Sequence, residues 1–90
     1  MNLREHLDNE PRGEPLRIAS AISVHPVMIS QWASGTKKVP ADRCPAVERA
    51  TDGKVTCEEL RPDITWTRIP DQWWPNGIGR PVIDPARATS

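Results

Sequence analysis

The stretch PLRIASAISVHPVMISQWAS, from Pro15 to Ser34, decides the fold: it reads as a helix, a tight turn and a second helix. Leu16, Ile18, Ala19 and Ile22 form an apolar stripe at helical spacing, and Pro15 suits an opening turn whose N–H would have no partner. Ser23 and Val24 break the run. Pro26 opens the second helix and biases His25 toward the extended angles of an N-cap. Val24 and Ile29 then occupy the two positions of a hydrophobic staple. His25, Met28, Ile29 and Trp32 recur at i, i+3, i+4 and i+7, so that side packs inward. Val27, Ser30, Gln31 and Ser34 recur on the opposite side, and Gly35 follows as a suitable C′ residue.

Periodicity alone equally describes an αα-hairpin in an ordinary bundle. The choice of residues is more particular. With Ile29 as the buried anchor, small Ala19 falls where the helices cross, Ile18 and Ile22 enter the core, and Val24 follows the turn. The stretch therefore resembles the DNA-binding helix-turn-helix of Cro and CI-type phage repressors, most closely from Ile29 to Gly35 and on through Lys37, Lys38, Val39 and Pro40. Ser23 departs from that pattern, which usually has glycine in the turn. A serine there must adopt or avoid a left-handed conformation at some cost.

Ninety residues with 37% hydrophobic content allow one small domain with a modest core. Twelve basic and twelve acidic residues balance, so no global charge draws the chain to nucleic acid and local charge must do so. Cys44 and Cys57 belong to no CxxC pair, and His6 and His25 are poorly spaced to complete a zinc site. They read as small core thiols, with no metal or cofactor expected. No apolar run approaches the roughly 20 residues of a membrane span, and the amino terminus has no signal-peptide core. The expected location is the reduced cytoplasm.

Outside the central unit, Asn2 and Glu5 form a capping pair for a short helix over about Leu3 to Asn9, which Pro11 and Gly13 end. Thr36 to Pro40 is a basic loop. Asp42 to Thr51 carries Cys44, Val47 and Ala50 on one face, with Pro45 tolerated in the first turn. Asp52 and Gly53 stop that helix, and Thr56 with Glu59 caps another that ends at Leu60 or Arg61, before Pro62. These elements predict an all-α, five-helix repressor-like helix-turn-helix domain with an irregular C-terminal tail.

The run from Arg43 to Thr51, and then from Val55 through Cys57 and Leu60 to Asp63 and Trp66, narrows the resemblance. Together with the helix-turn-helix it is similar to the YdaS antitoxin/Cro-like family of small prophage-associated regulators, over residues 1 to 68. That resemblance implies a transcriptional regulator, in some cases the antitoxin half of a toxin–antitoxin pair. Residues 69–90 form the expected tail. Ile64, Trp66 and Ile69 alternate as a short extended segment against the domain, and a flexible tail is expected from Pro75 onward. Trp73 and Trp74 either pack back on the domain, the favoured reading, or meet another protein.

The leading functional reading is sequence-specific binding of double-stranded DNA, with the second helix in the major groove. Gln31 suits a bidentate contact to adenine and Val27 a thymine methyl. Ser30, Ser34, His25 and Pro26 complete the set that faces the bases, while His25 reads equally as a poor cap. Arg17, Thr36, Lys37 and Lys38 are the phosphate candidates, which supply position rather than discrimination. One such helix offers too few contacts for specificity, so a homodimer on an inverted-repeat operator is expected. The alternative is an antitoxin that binds a protein toxin through its tail and autoregulates its promoter. No nucleophile has a base partner and no glycine-rich phosphate loop is present, so an enzyme is not expected.

Overall fold

The computed structural model describes residues 1–75 and 77–84. Five helices come first: α1 (Leu3–Asn9), α2 (Glu14–Ile22), α3 (Pro26–Ser34), α4 (Cys44–Ala50) and α5 (Cys57–Leu60), with a 3-10 turn at Ala41–Arg43 leading into α4. Local chemistry sets their ends. Asn2 Oδ1 accepts from the Glu5 N–H at 2.8 Å while Glu5 Oε1 accepts from the Asn2 N–H at 3.4 Å, and Thr56 and Glu59 repeat the exchange at α5. Ser23 closes α2 in the left-handed region, at φ 59° and ψ 47°. The Val24 N–H returns to the Ala19 carbonyl at 3.0 Å, the wrap of a Schellman motif.

The core gathers where these helices cross. Ile18, Ala19 and Ile22 of α2 meet Ile29 and Trp32 of α3, and Val39, Cys44, Val47, Val55, Cys57 and Leu3 close the cluster. Ile29 is fully buried, which is worth about 1.5–3 kcal/mol for a side chain of its size. Both cysteines are free and buried, as expected of small core thiols; the neighbouring Cys44 thiol together with burial pushes Cys57 up, while the same pairing draws Cys44 down. Leu16 does not join the stripe. It is 61% exposed, because it precedes Ile18 by two residues, more than half a helical turn, and Glu14 takes the inward position instead. His25 is likewise exposed at the cap and is no part of the inward face of α3.

The expectation of an all-α fold with an irregular tail is corrected by a two-stranded antiparallel sheet, β1 (Trp66–Ile69) and β2 (Arg80–Ile83). Trp66 pairs with Ile83, Thr67 with Val82, Arg68 with Pro81 and Ile69 with Arg80, and the Asp84 N–H extends the ladder to the Thr65 carbonyl at 3.0 Å. Hydrogen-bonded pairs alternate from that point, so Pro81 falls on a pair that needs no N–H. That is why a proline sits within this strand. Sequence alternation is also shifted by one residue at its end: Arg68, not Ile69, shares the inward face with Trp66, and Ile69 is 39% exposed. The reason is Glu48, a wholly buried carboxylate on α4, which accepts from Arg68 at 2.5 and 2.8 Å, from Trp74 Nε1 at 2.5 Å and from the Cys57 N–H at 2.8 Å.

The two adjacent tryptophans part company. Trp74 packs back, with Arg49 over its ring at 6.0 Å, while Trp73 is 78% exposed. The part of the expected flexible tail at Asn76 and at residues 85–90 lies outside the described residues.

Candidate nucleic-acid interface

The outer side of α3 carries Pro26, Val27, Ser30 and Ser34 in exposed positions, with Val27 49% exposed. Gln31 lies between the two sides. It is half-buried, and its Oε1 is shielded from solvent without a hydrogen-bond partner among the described residues. His25 caps the helix through Nδ1, which accepts from the Val27 N–H at a long 3.4 Å.

Gly35, at φ 81°, turns the chain out of α3, and the Lys37 N–H returns to the Gln31 carbonyl at 3.2 Å. Ser34 Oγ donates to that same carbonyl at 3.2 Å and lies 2.8 Å from Thr36 Oγ1. These hydroxyls fix the turn, and the turn in turn presents Lys37 and Lys38 to solvent. The two lysines differ. Lys38 Nζ stands 3.8 Å from the Asp63 carboxylate, whose pKa the Arg61 guanidinium beside it holds well below the usual range, whereas Lys37 has no acidic partner among the described residues.

Arg17 does not join this group. Its Nε and Nη2 donate to Glu14 at 2.5 and 2.7 Å, and Nη2 also donates to the Ala50 carbonyl at 2.7 Å, so its charge ties α2 to the end of α4. Glu14 in addition meets His6 Nε2 at 2.5 Å. The Arg17 hydrogen bonds, opposed by burial and aided by His6, hold the Glu14 pKa down to about 2.

Sequence reasoning missed Arg4. It lines a cleft of about 360 Å³ with Ser34, Lys37 and Lys38, and it borders a second hollow with Ser30 and Ser34. Nothing in the periodicity of a seven-residue helix places its exposed arginine beside α3. Only the packing of α1 across α3 does.

With this geometry in place, comparison with known proteins is specific. The family model described as "Bacterial toxin YdaS" matches residues 10–69, two thirds of the chain. The chain belongs to the YdaS family. A curated relative from Escherichia coli (strain K12), "Putative transcriptional regulator YdaS", is 54% identical over 52 residues, which cover 58% of this chain and 53% of the relative. The chain thus spans about half the length of that YdaS protein. Among solved structures, the Cro protein from "putative prophage element Xfaso 1" in Xylella fastidiosa strain Ann-1 is 35% identical, with a TM-score of 0.53 over 72% of this chain and 97% of its own. This YdaS-family chain therefore has a Cro-like helix-turn-helix fold with a small sheet appended. No helix among the described residues is long and apolar enough to cross a membrane.

Proposed function

We propose that this chain is a sequence-specific, double-stranded-DNA-binding transcriptional regulator of Cro type and not an enzyme, with α3 entering the major groove. The observation that carries the reading is the outer side of α3, Val27, Ser30 and Ser34 with Gln31 at its edge, continued directly by Lys37 and Lys38 on a turn fixed by hydrogen bonds. Gln31 reads adenine, Val27 meets a thymine methyl, and Ser30, Ser34, His25 and Pro26 make the remaining contacts near the bases. Thr36, Lys37 and Lys38 hold phosphates. Arg17 is less suited to that role than the sequence implies, because its guanidinium already has three intramolecular bonds. The Cro-like neighbour and the YdaS relative, described as a transcriptional regulator, support the reading.

One α3 supplies about four outward side chains, and a good bidentate contact contributes about 1–3 kcal/mol. Specific binding needs about 4–10 kcal/mol over non-specific binding, so two copies act on an inverted repeat with half-site centres about 10 bp apart. Selection of bound sequences from a random duplex pool tests both parts: an enriched inverted repeat is expected, and no enrichment of any motif overturns the reading.

A second reading is favoured by one observation, the 78% exposed indole of Trp73 beside the anchored Trp74. In it the C-terminal segment binds a protein toxin and the chain is the antitoxin. Co-purification of a toxin that is lost in Trp73→Ala is the expected result, and its absence when a neighbouring toxin gene is co-expressed overturns this second reading.

A further inference from the structure

Five cations among the described residues are committed to partners within the chain. Arg17 is held by Glu14, Arg43 by the Ile22 carbonyl, Arg61 by Asp63 and Arg68 by Glu48, and Lys54 pairs with Glu10. Arg4 and Lys37, like Arg12 and Arg80, are not so committed, and of these four only Arg4 and Lys37 share a cleft. Neither makes an ion pair or side-chain hydrogen bond among the described residues, although Asp8 stands one helical turn beyond Arg4 on α1, the spacing at which such pairs form. The two lie on separate elements, α1 and the turn after α3, yet both line the same cleft, together with Ser34 and Asn2. The one acid on that wall, Glu59, has an oxygen accepting from both the Thr56 N–H and the Thr56 hydroxyl.

Resting on the DNA reading above, we propose that Arg4 is a backbone contact: its guanidinium and the Lys37 ammonium bracket a phosphate of the strand that passes beside the C-terminal half of α3. A guanidinium presents a planar fork of donors that matches two phosphate oxygens, and no intramolecular acceptor competes for it. Arg4 flanks α3 and does not extend its outer stripe, so it meets the sugar–phosphate edge and not the bases. It makes α1 part of the interface, and it answers how a chain of zero net charge assembles a basic surface: by leaving two cations unpaired where the cleft opens.

The test is the salt dependence of binding to the selected operator and to a random duplex, measured for the full chain, Arg4→Gln, Arg4→Lys and Lys37→Ala. Arg4→Gln should lower the magnitude of the salt slope by about 0.9 per subunit and weaken both duplexes by the same factor, with Arg4→Lys restoring the slope. Inorganic phosphate at matched ionic strength should not displace the duplex. Melting should be unchanged, since Arg4 has no internal partner. If Lys37→Ala lowers the slope and Arg4→Gln does not, the proposal falls while the DNA reading stands. If Arg4→Gln weakens the operator alone, Arg4 reads a base and the proposal is again wrong. If the wild-type chain binds no duplex, both fall together.

Discussion

Arg68 of β1 donates to the carboxylate of Glu48 on α4 at 2.5 and 2.8 Å, and Glu48 is wholly buried. Burial pushes the Glu48 pKa up, but hydrogen bonds from Arg68, Trp74 and the Cys57 N–H outweigh it, so the group stays ionised and its pKa is lowered. The pair joins the helical domain to the sheet. Arg68→Met should therefore leave a buried charge uncompensated and cost about 3–5 kcal/mol. At about 4–8 °C per kcal/mol for a domain of this size, Tm should drop by more than about 12 °C. The double variant Arg68→Met with Glu48→Gln should recover part of that loss by thermal melting; no recovery would mean that Arg68 acts through packing alone.

Ending the chain after Trp74 should lower Tm by several degrees, because it removes β2 and the Gly79 carbonyl that accepts from Arg68 at 3.0 Å. Gly79→Ala should act in the same direction. At φ 93° its new Cβ would collide with the Ile69 carbonyl, so the strand return must shift. Equal melting of the truncated and full chains would show that β2 contributes nothing to stability.

Ser23→Gly should stabilise the protein by about 0.5–1 kcal/mol. A non-glycine residue in the left-handed region costs roughly 1–2 kcal/mol, and the greater freedom of glycine in the unfolded chain offsets part of the gain. Denaturant midpoints for Ser23→Gly and Ser23→Ala check this, since alanine keeps the strain and should not stabilise.

Acid stability depends on Glu14, whose pKa stands at about 2 in the fold against 4.5 for the free group. A depressed carboxylate contributes stability that is fully present above about 4.5 and is lost as pH falls toward about 2. Arg17→Met removes the main cause of the depression. Its deficit in stability relative to wild type should be greatest near neutral pH and shrink through that window. A deficit independent of pH from 6 to about 2 would show that Glu14 is not the group responsible.

Gln31→Ala should weaken binding to the selected operator by about 1–3 kcal/mol and flatten preference at one base position, with non-specific binding barely changed. Repeating the sequence selection with the variant reads this directly. An unchanged preference at every position would assign the wrong face of α3 to the groove.

The sequence by itself determined what depends on near neighbours. The capping boxes at Asn2 and Thr56, the prolines opening α2 and α3, Gly35 ending α3 and the split of α3 into an inner and an outer side all follow from spacings of four residues or fewer along a helix, where backbone geometry dictates which side chains meet. Ser23 was legible as the difficult turn residue for the same reason. Tertiary structure decided the rest, because its partners lie far apart in the chain. Pairing of Arg68 with Glu48 spans twenty residues, and the register of β2 on β1 depends on where a chain containing Pro81 can do without an N–H. Those contacts made Arg68 an inward residue and left Ile69 outside. Packing also brought the Arg17 guanidinium to the Ala50 carbonyl, and set Arg4 on one cleft with Lys37. Helical periodicity states which side of an element is apolar, but a charged residue turns inward only if a distant chain segment brings it an opposite charge, and that is settled by packing alone.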